Sequence, residues 1–214
     1  MMLQLAHHRA FQRKKKKWAD RGCTLAIQKL MVERSCDTLL AFYHLIYQLK
    51  RTRRTGWLKR SIIENVESIS DHMYRMAMIA MTLPLDNPAI SRERCIMMAL
   101  VHDLAEAVVG DITPECGITE EEKHRLEAEA MSEITKNLTP ATASLLSGLW
   151  EEYEGAVTEE AKLVKQIDKF EFALQAAEYQ KERGVDLTEF VQVVRPKLSD
   201  PHLVALWEDI QKEL

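Results

Sequence analysis

The chain has 214 residues, of which 46% are hydrophobic and 29% are charged, and its formal net charge is −4. These values are typical of one soluble globular domain with a sizeable core, and no apolar run reaches the length of about 18 residues that a membrane span requires. The four cysteines are too far apart for a zinc ribbon, a redox motif or a small secreted framework, so we expect reduced thiols in a cytoplasmic protein.

Positive charge is concentrated at the start of the chain. Residues 1–36 carry nine Lys or Arg and two acids, a net of +7, whereas the other 178 residues carry a net of −11. The run RKKKK at 13–17 predicts a poorly ordered basic extension over 1–36, followed by one domain over 37–214. A nuclear-import tail, a nucleic-acid tail and an organelle presequence are the alternatives, so a nuclear or organellar location stays open.

Helical periodicity dominates the chain after residue 36. Ser, Thr or Asp precedes most of the periodic segments as a cap, and Gly56, Gly110 and Gly184 are expected to interrupt or end them. The predicted helices run from Asp37 to Arg51, from Ser68 or Ser70 to Pro84, from Ser91 to Val109, over 119–138, from Pro140, from Thr158 to Gly184, and over 186–197 and 200–213. No alternating β pattern or internal repeat is visible, so we predict an all-α fold, a compact bundle of about six to eight helices.

The placement of glycine excludes several nucleotide-binding devices. No two of the seven glycines are one residue apart, so the chain has no dinucleotide-binding fingerprint, and it has no Gly-Lys-Ser or Gly-Lys-Thr phosphate loop. It also lacks a nucleophile-elbow serine and a metalloprotease histidine pair. Any nucleotide chemistry must therefore use another device.

The segment ALVHDLAEAVVGDITP carries polar side chains within an apolar run. Burying His102, Asp103 and Glu106 costs several kcal/mol unless each is paired, hydrogen-bonded or bound to a metal. In a helix these three lie close together at i, i+3 and i, i+4 spacing, and Asp111 follows just past the predicted helix end. Imidazole together with carboxylate suits Zn, Mn, Fe, Co or Ni better than an all-oxygen magnesium cage.

Two further candidate ligands lie on other predicted helices. His72 lies amid apolar residues in SISDHMYRMA, and Asp168 lies on a partly apolar face in AKLVKQIDKFEFAL. The alternatives are a hydrogen-bonded core histidine for His72 and an ion pair with Lys165 or Lys169 for Asp168. We assign structural or surface positions to three other histidines, His44, His124 and His202.

The order of these residues resembles that of the HD-domain superfamily of metal-dependent phosphohydrolases. A His is followed after 30 residues by His-Asp and after a further 65 by Asp, each on a predicted helix. The segments LLAFYHLIYQLKRTRRTGWLKR, ESISDHMYRMA, ALVHDLAEAVVGDITP, EEEKHR, LWEEYE and AKLVKQIDKFE are similar, in this order, to the 5'-deoxynucleotidase branch of that superfamily. The resemblance covers residues 38–180, and residues 1–36 have no counterpart in it.

This resemblance implies a metal-dependent active site. It implies that His72, His102, Asp103 and Asp168 bind one divalent ion, which is Co, Mn, Zn or Mg, and leave positions open for water and phosphate. Such an ion lowers the pKa of water and polarises a phosphoryl group.

Two acids that are not among these ligands face the same point, and we assign roles to them from that position. Glu106 is expected to orient the attacking water or to move its proton, and Asp111 to hold the substrate or its water. The alternative is that both bind a second metal, together with the backbone carbonyl of Ile112.

Substrate contacts are expected from the basic segment RRTGWLKR and from Lys165. In the family this region carries an arginine and a tryptophan that contact phosphate and deoxyribose, which implies Arg54 or Arg60 and Trp57 here. The alternative is a core tryptophan with solvated arginines. The implied reaction is hydrolysis of a deoxyribonucleoside 5'-monophosphate to a deoxyribonucleoside and phosphate, with ribonucleotides rejected by Trp57 at the sugar.

Rival functions stay open at this point. Phosphodiesterases and nucleoside triphosphate hydrolases use the same metal scaffold, and a metal-bound module without turnover is a rival from another class. Nucleic-acid binding is a third alternative, which we do not expect of the acidic body because it repels a phosphate backbone, so such binding would be confined to residues 9–17. The partners that we expect are a small nucleotide substrate and a second copy of the chain in a homodimer, with no membrane.

Overall fold

The structure, a computed structural model, describes residues 39–59 and 65–214, which fold into helices joined by short turns. The α-helices are α1 (Leu39–Ile46), α2 (Thr55–Leu58), α3 (Ile69–Thr82), α4 (Arg92–Val101), α5 (Glu106–Val109), α6 (Glu120–Thr135), α7 (Pro140–Gly155), α8 (Glu159–Arg183), α9 (Thr188–Gln192) and α10 (Pro201–Glu213). Single 3-10 turns lie at Tyr47–Lys50, Pro114–Cys116 and Arg195–Lys197. Seven of the described helices have eight or more residues, and the described ranges hold no β-strand, which confirms the all-α fold. None of these helices is long and apolar enough to cross a membrane.

Part of the sequence-based prediction concerns residues outside these ranges. It comprises the basic extension over 1–36, the Asp37 cap, two cysteines (Cys23 and Cys36) and Arg60. The domain boundary at residue 37 therefore stays a prediction.

Helix α8 organises the core. It has 25 residues and contacts α3, α4, α7, α9 and α10. Three fully buried alanines on this helix, Ala161, Ala173 and Ala176, allow its neighbours to approach closely. The buried part of α8 also includes Asp168 and Glu171, so two acids enter the core and need polar partners there.

Side-chain caps begin several long helices at the predicted residues. The Ser68 hydroxyl accepts a hydrogen bond from the Asp71 amide, and the Asp71 carboxylate accepts one from the Ser68 amide, which closes a capping box at the start of α3. Ser91 and Thr158 cap α4 and α8 in the same way through their hydroxyls. Gly184 ends α8 with a φ of 66°, in the left-handed region that glycine adopts without strain.

The third predicted helix is not continuous, which corrects the expectation that it reaches Val109. Helix α4 ends at Val101, and the chain winds more tightly before α5 begins at Glu106. The Leu104 amide donates to the Val101 carbonyl at 2.9 Å, and the Glu106 amide donates to the Asp103 carbonyl at 3.0 Å. These i→i−3 bonds are typical of 3-10 winding, so the α-helical spacing of the polar residues does not apply, although they still line one cavity.

Gly56 does not interrupt a helix, contrary to expectation. It lies inside the single turn of α2, and a distant residue holds the start of that turn. Asp111 Oδ2 accepts a hydrogen bond from the Thr55 amide at 2.5 Å, and the Thr55 hydroxyl donates to the Asp111 carbonyl at 2.9 Å. Since this contact spans 56 residues, local patterning could not reveal the helix.

Candidate metal centre

Three buried side chains from separate parts of the fold meet at one point. They are His72 on α3, His102 directly after α4 and Asp168 on α8, and one ligand atom of each lies within 4.8 Å of the others. His72 is completely buried, and His102 and Asp168 are 4% and 7% exposed. A polar cluster at this depth needs mutual pairing or a cation to offset its desolvation.

Hydrogen bonds to the outer ring nitrogens orient both imidazoles. His72 Nδ1 lies 2.5 Å from Glu171 Oε2, and His102 Nδ1 lies 3.0 Å from the Ala99 carbonyl oxygen. When the imidazoles are neutral, as metal binding requires, each Nδ1 donates its proton to an oxygen and each Nε2 keeps its lone pair for the cluster. The buried His72 Nε2 has no hydrogen-bond partner within the described residues, although Asp168 Oδ1 is 3.3 Å away. This donor set fits a divalent cation.

Asp103 lies at the same point as these three residues. Its Oδ2 is 3.2 Å from His102 Nε2, 3.9 Å from His72 Nε2 and 3.7 Å from Arg54 Nη1. Burial raises the pKa of Asp103, but the charges of the two imidazoles and of Arg54 outweigh burial and hold the pKa below its usual value. The structure thus brings together all four residues predicted as metal ligands.

Asp168 is also kept as an anion by its neighbours. Burial raises its pKa, but Lys169 and His72 outweigh burial and hold the pKa well below its usual value. Lys169 Nζ lies 2.7 Å from Asp168 Oδ2, and the Tyr153 hydroxyl donates to the same oxygen at 3.3 Å. The ion pair that the sequence offered as an alternative therefore exists in addition to the cluster. Ionised carboxylates are the form that binds a divalent cation.

A polar cavity of about 410 Å³ borders the cluster. Its walls come from the segment before α2, from α5 to α8 and from the turns around α5, and the described residues that line it include seven carboxylates and four Lys or Arg. Arg54 and Lys165, two of the predicted substrate contacts, lie in these walls. Lys165 Nζ lies 4.0 Å from the Tyr153 ring centroid and 4.0 Å from Glu154 Oε1.

Arg54 reaches the cluster from the segment before α2. Its Nη1 lies 3.7 Å from Asp103 Oδ2, and its Nε lies 3.9 Å from Glu67 Oε1. The Asp111–Thr55 hydrogen bonds anchor this segment directly after Arg54. A guanidinium held in this way presents N–H donors with a fixed geometry, which suits the oxygens of a phosphate.

Glu106 is buried in the cavity wall and has one unpaired carboxyl oxygen. It is 4% exposed, and Oε2 has no hydrogen-bond partner in the part of the chain that the structure describes. Burial and the charges of Asp103 and Asp111 raise the pKa of Glu106 well above its usual value. A carboxyl group with a raised pKa in a cleft is a candidate for proton transfer.

The second acid, Asp111, forms its hydrogen bonds with another residue of the protein, Thr55. Burial raises its pKa, and its carboxylate and carbonyl both bind Thr55. Ile112 is buried beside it. Among the described residues the ligand geometry groups His72, His102 and Asp168 and does not group Glu106 with Asp111, so a second metal at Glu106, Asp111 and Ile112 stays a prediction.

Trp57 lies in the core instead of at the cavity, which corrects the expected contact with the sugar. It is 1% exposed, and its ring stacks on Phe172 at 4.7 Å between centroids and meets Tyr179 edge-on at 5.5 Å. Its Nε1 donates to Glu67 Oε1 at 3.0 Å, and that oxygen is the one nearest Arg54. Trp57 therefore lies in the core, as that alternative stated, but Arg54 lines the cavity and is not the solvated arginine that the same alternative expected.

Glu171 is a functional residue that the sequence analysis missed. It follows Asp168 by three positions, one helical step on the same buried face, and that spacing beside a ligand was the available signal. Its two oxygens bind His72 Nδ1 and Arg75 Nε. A carboxylate behind a metal-binding imidazole fixes the ring orientation and raises its basicity.

Glu171→Gln is expected to weaken divalent-metal affinity by about 10- to 100-fold, because the amide keeps the shape of the side chain but not the charge behind His72. Competition with a chromophoric chelator for Co²⁺ measures the affinity. The control is Glu178→Gln, because Glu178 also binds Arg75 but is on the exposed side of the helix. Wild-type affinity in both variants would contradict the role of Glu171.

Comparisons with known proteins agree with this geometry. A profile of the HD domain family matches residues 46–207. The Mus musculus protein named 5'-deoxynucleotidase HDDC2 is 48% identical over 177 residues, which cover 82% of this chain and 87% of that protein. The Schizosaccharomyces pombe protein named 5'-deoxynucleotidase hdd1 is 45% identical over 183 residues, which cover 82% of this chain and 90% of that protein.

Solved structures with a similar fold include two from prokaryotes. A conserved hypothetical protein from Pyrococcus furiosus has a TM-score of 0.65 and 30% identity, over 81% of this chain and 99% of that one. A predicted metal-dependent phosphohydrolase from Magnetospirillum magnetotacticum has a TM-score of 0.62 and 25% identity, and the match covers 81% of this chain and 89% of that one. The sequence comparisons and the fold comparisons thus both match this chain over about four fifths of its length.

Proposed function

The chain belongs to the HD domain family, and from this membership we propose that it is a metal-dependent 5'-deoxynucleotidase. The reaction is hydrolysis of a deoxyribonucleoside 5'-monophosphate to a deoxyribonucleoside and phosphate. The observation that supports this most strongly is the buried His72, His102, Asp103 and Asp168 cluster at the wall of a polar cavity that also contains Arg54.

The four clustered residues would hold the divalent ion. The chemistry that such an ion supplies is a lowered pKa of water and a polarised phosphoryl group. Glu171 and the Ala99 carbonyl keep the two imidazoles in the tautomer that can bind it. Nitrogen and oxygen donors together favour Mn, Co or Zn over Mg, so the assay must include all four ions.

Glu106, Arg54 and Asp111 have separate roles in proton transfer, phosphate binding and positioning. Glu106 moves the proton between the attacking water and the leaving 5'-oxygen, because its unpaired oxygen lies in the cavity wall beside Asp103. Arg54 binds the phosphate oxygens through its N–H donors. Asp111 keeps Arg54 in place through Thr55, so it acts as a positioning residue.

Phosphate release is the test of this function. Metal-stripped protein is resupplied with Co, Mn, Zn or Mg and then given matched deoxyribo- and ribonucleoside 5'-monophosphates. We expect ion-dependent release of phosphate from the deoxy series and little from the ribo series. Cleavage of a diester without cleavage of any monoester would replace this function with the phosphodiesterase alternative.

A second copy of the chain is the proposed cover for an apolar groove between α1, α3 and α4. The groove has a volume of about 590 Å³, and Tyr43, Tyr74 and Leu100 in its walls are 54%, 65% and 47% exposed. Exposed apolar surface of this kind marks interaction sites. Val101 and Leu104 line the groove while the intervening His102 and Asp103 line the cavity, so pairing would also support the metal centre.

Tyr74→Glu is expected to convert the proposed dimer to a monomer, because it places a charge in the wall of this apolar groove. Analytical ultracentrifugation measures the mass. Val157→Glu is the matched control, since Val157 is 76% exposed and lies outside the groove. A monomeric wild-type protein, or a dimeric Tyr74 variant, would contradict the proposed interface.

A further inference from the structure

One wall of the catalytic cavity carries an ion pair with no role in the function described so far. Lys123 and Glu127 occupy successive turns of α6, and Lys123 Nζ lies 3.7 Å from Glu127 Oε1. Both residues line the cavity together with Arg54 and Glu106. They belong to or follow the EEEKHR segment, which the sequence analysis quoted for its resemblance without assigning it a function.

The burial of Glu127 explains why this lysine stays in the cavity. Glu127 is 6% exposed, and a carboxylate at that depth needs a partner to offset its desolvation. Lys123 is that partner, and its side chain is 31% exposed where most lysines on a helix surface extend fully into water. The pair therefore directs the ammonium group along the cavity wall.

Lys123 acts electrostatically on two acids of the cavity, the proposed proton-transfer residue Glu106 and the positioning residue Asp111. Its charge lowers the pKa of both Glu106 and Asp111, although burial leaves both values raised overall. Arg54 lowers the same two pKa values from the segment before α2. Two cations from different elements thus act on the acidic group at which phosphate chemistry would take place.

Binding a phosphate in this cavity requires more positive charge than Arg54 alone supplies. A phosphate monoester brings nearly two negative charges to walls in which carboxylates already outnumber Lys and Arg among the described residues. Arg54 is shared between Asp103 and Glu67, so part of its charge is already compensated. A lysine ammonium, as a compact point charge, can neutralise a further phosphate oxygen.

We propose that Lys123 is a second phosphate-binding residue of this cavity, and that Glu127 is the positioning residue that holds its ammonium group there. The proposal rests on the proposed function, because the anion it assigns to Lys123 is the phosphate of a deoxynucleoside monophosphate. Lys123 contributes charge to binding and to the transition state, while Arg54 supplies the planar set of donors.

The test measures the affinity for inorganic phosphate and the steady-state constants of metal-loaded protein. Lys123→Gln is expected to weaken phosphate binding by calorimetry and to raise KM by about 10- to 100-fold, the effect of a lost charge-assisted hydrogen bond. Lys123→Arg is expected to recover most of the phosphate affinity because it keeps the charge. Glu127→Gln is expected to weaken phosphate binding by a smaller factor with unchanged metal content.

Lys162→Gln is the matched control, because Lys162 pairs with Glu159 on the exposed surface of α8 and should leave all these values unchanged. Wild-type phosphate affinity in Lys123→Gln overturns the proposal. So does an Arg variant as weak as the Gln variant, since the effect would then come from packing. A third result would separate the two proposals. If Lys123→Gln folds normally and binds phosphate weakly, while the wild-type protein hydrolyses no deoxynucleotide, the phosphate site is supported and the proposed substrate is rejected.

Discussion

Replacing Asp103 by Asn is expected to lower kcat for deoxynucleotide hydrolysis at least about 1,000-fold, the equivalent of about 4 kcal/mol in the activation free energy. Asp103 Oδ2 lies within 3.9 Å of the Nε2 atoms of both His72 and His102. Asparagine has nearly the same shape but no charge, so the proposed metal site loses an anionic ligand. Arg54 loses its charged partner at the same time.

The measurement that isolates the metal is its content after dialysis against excess ion and gel filtration. We expect substoichiometric metal in Asp103→Asn and full occupancy in Asp86→Asn. Asp86 is the matched control because it is exposed and pairs with His202, away from the cavity. A fully loaded Asp103 variant that retains more than a tenth of the wild-type rate would show that Asp103 is not a ligand.

Helix boundaries were predictable wherever the signal lies within one turn. The hydroxyl of Ser91 and the backbone of Arg94 are three residues apart, so the sequence alone predicts this cap and the start of α4. The same holds for Ser68 and Asp71 at α3. These local signals placed His72 and Asp168 on helices, but they did not bring them together.

The convergence of the ligands was predictable only through the resemblance to a family. His72 and Asp168 are separated by most of the domain, and nothing in periodicity alone selects them over the other histidines and acids. The structure places them 3.3 Å apart, Nε2 to Oδ1. Glu171 was missed because an acid one turn from a ligand has the same pattern whether it supports an imidazole or faces solvent.

The errors occurred where tertiary contacts decide the local structure. A tryptophan between arginines has the same sequence pattern at a pocket wall and in the core, and Phe172 and Tyr179 on α8 decide for the core. Likewise, Asp111 lies 56 residues after Thr55 and holds the start of α2 by accepting a hydrogen bond from the Thr55 amide. In both cases the determining partner lies outside any window that periodicity can use.

Replacing Glu106 by Gln is expected to lower kcat by about 100- to 10,000-fold with little change in KM, the range associated with loss of a general acid or base. Glutamine fills the same volume at this buried position but cannot take up or release the proton. The neighbouring ligand Asp103 keeps its contacts with His102 and Arg54, so we expect unchanged metal content. Steady-state kinetics and metal analysis on the same preparation check both expectations.

Metal content is what separates the two interpretations of Glu106 that the sequence left open. Glu133→Gln is the control, because Glu133 is exposed on α6 and pairs with Lys136. A Glu106 variant that loses rate with its metal intact supports the proton-transfer role. A variant that loses one of two bound ions would assign Glu106 to a second metal site, and a variant with wild-type kcat would remove it from the reaction altogether. Because Oε2 of Glu106 lacks a partner among the described residues while Asp111 is bound to Thr55, we expect the first of these results.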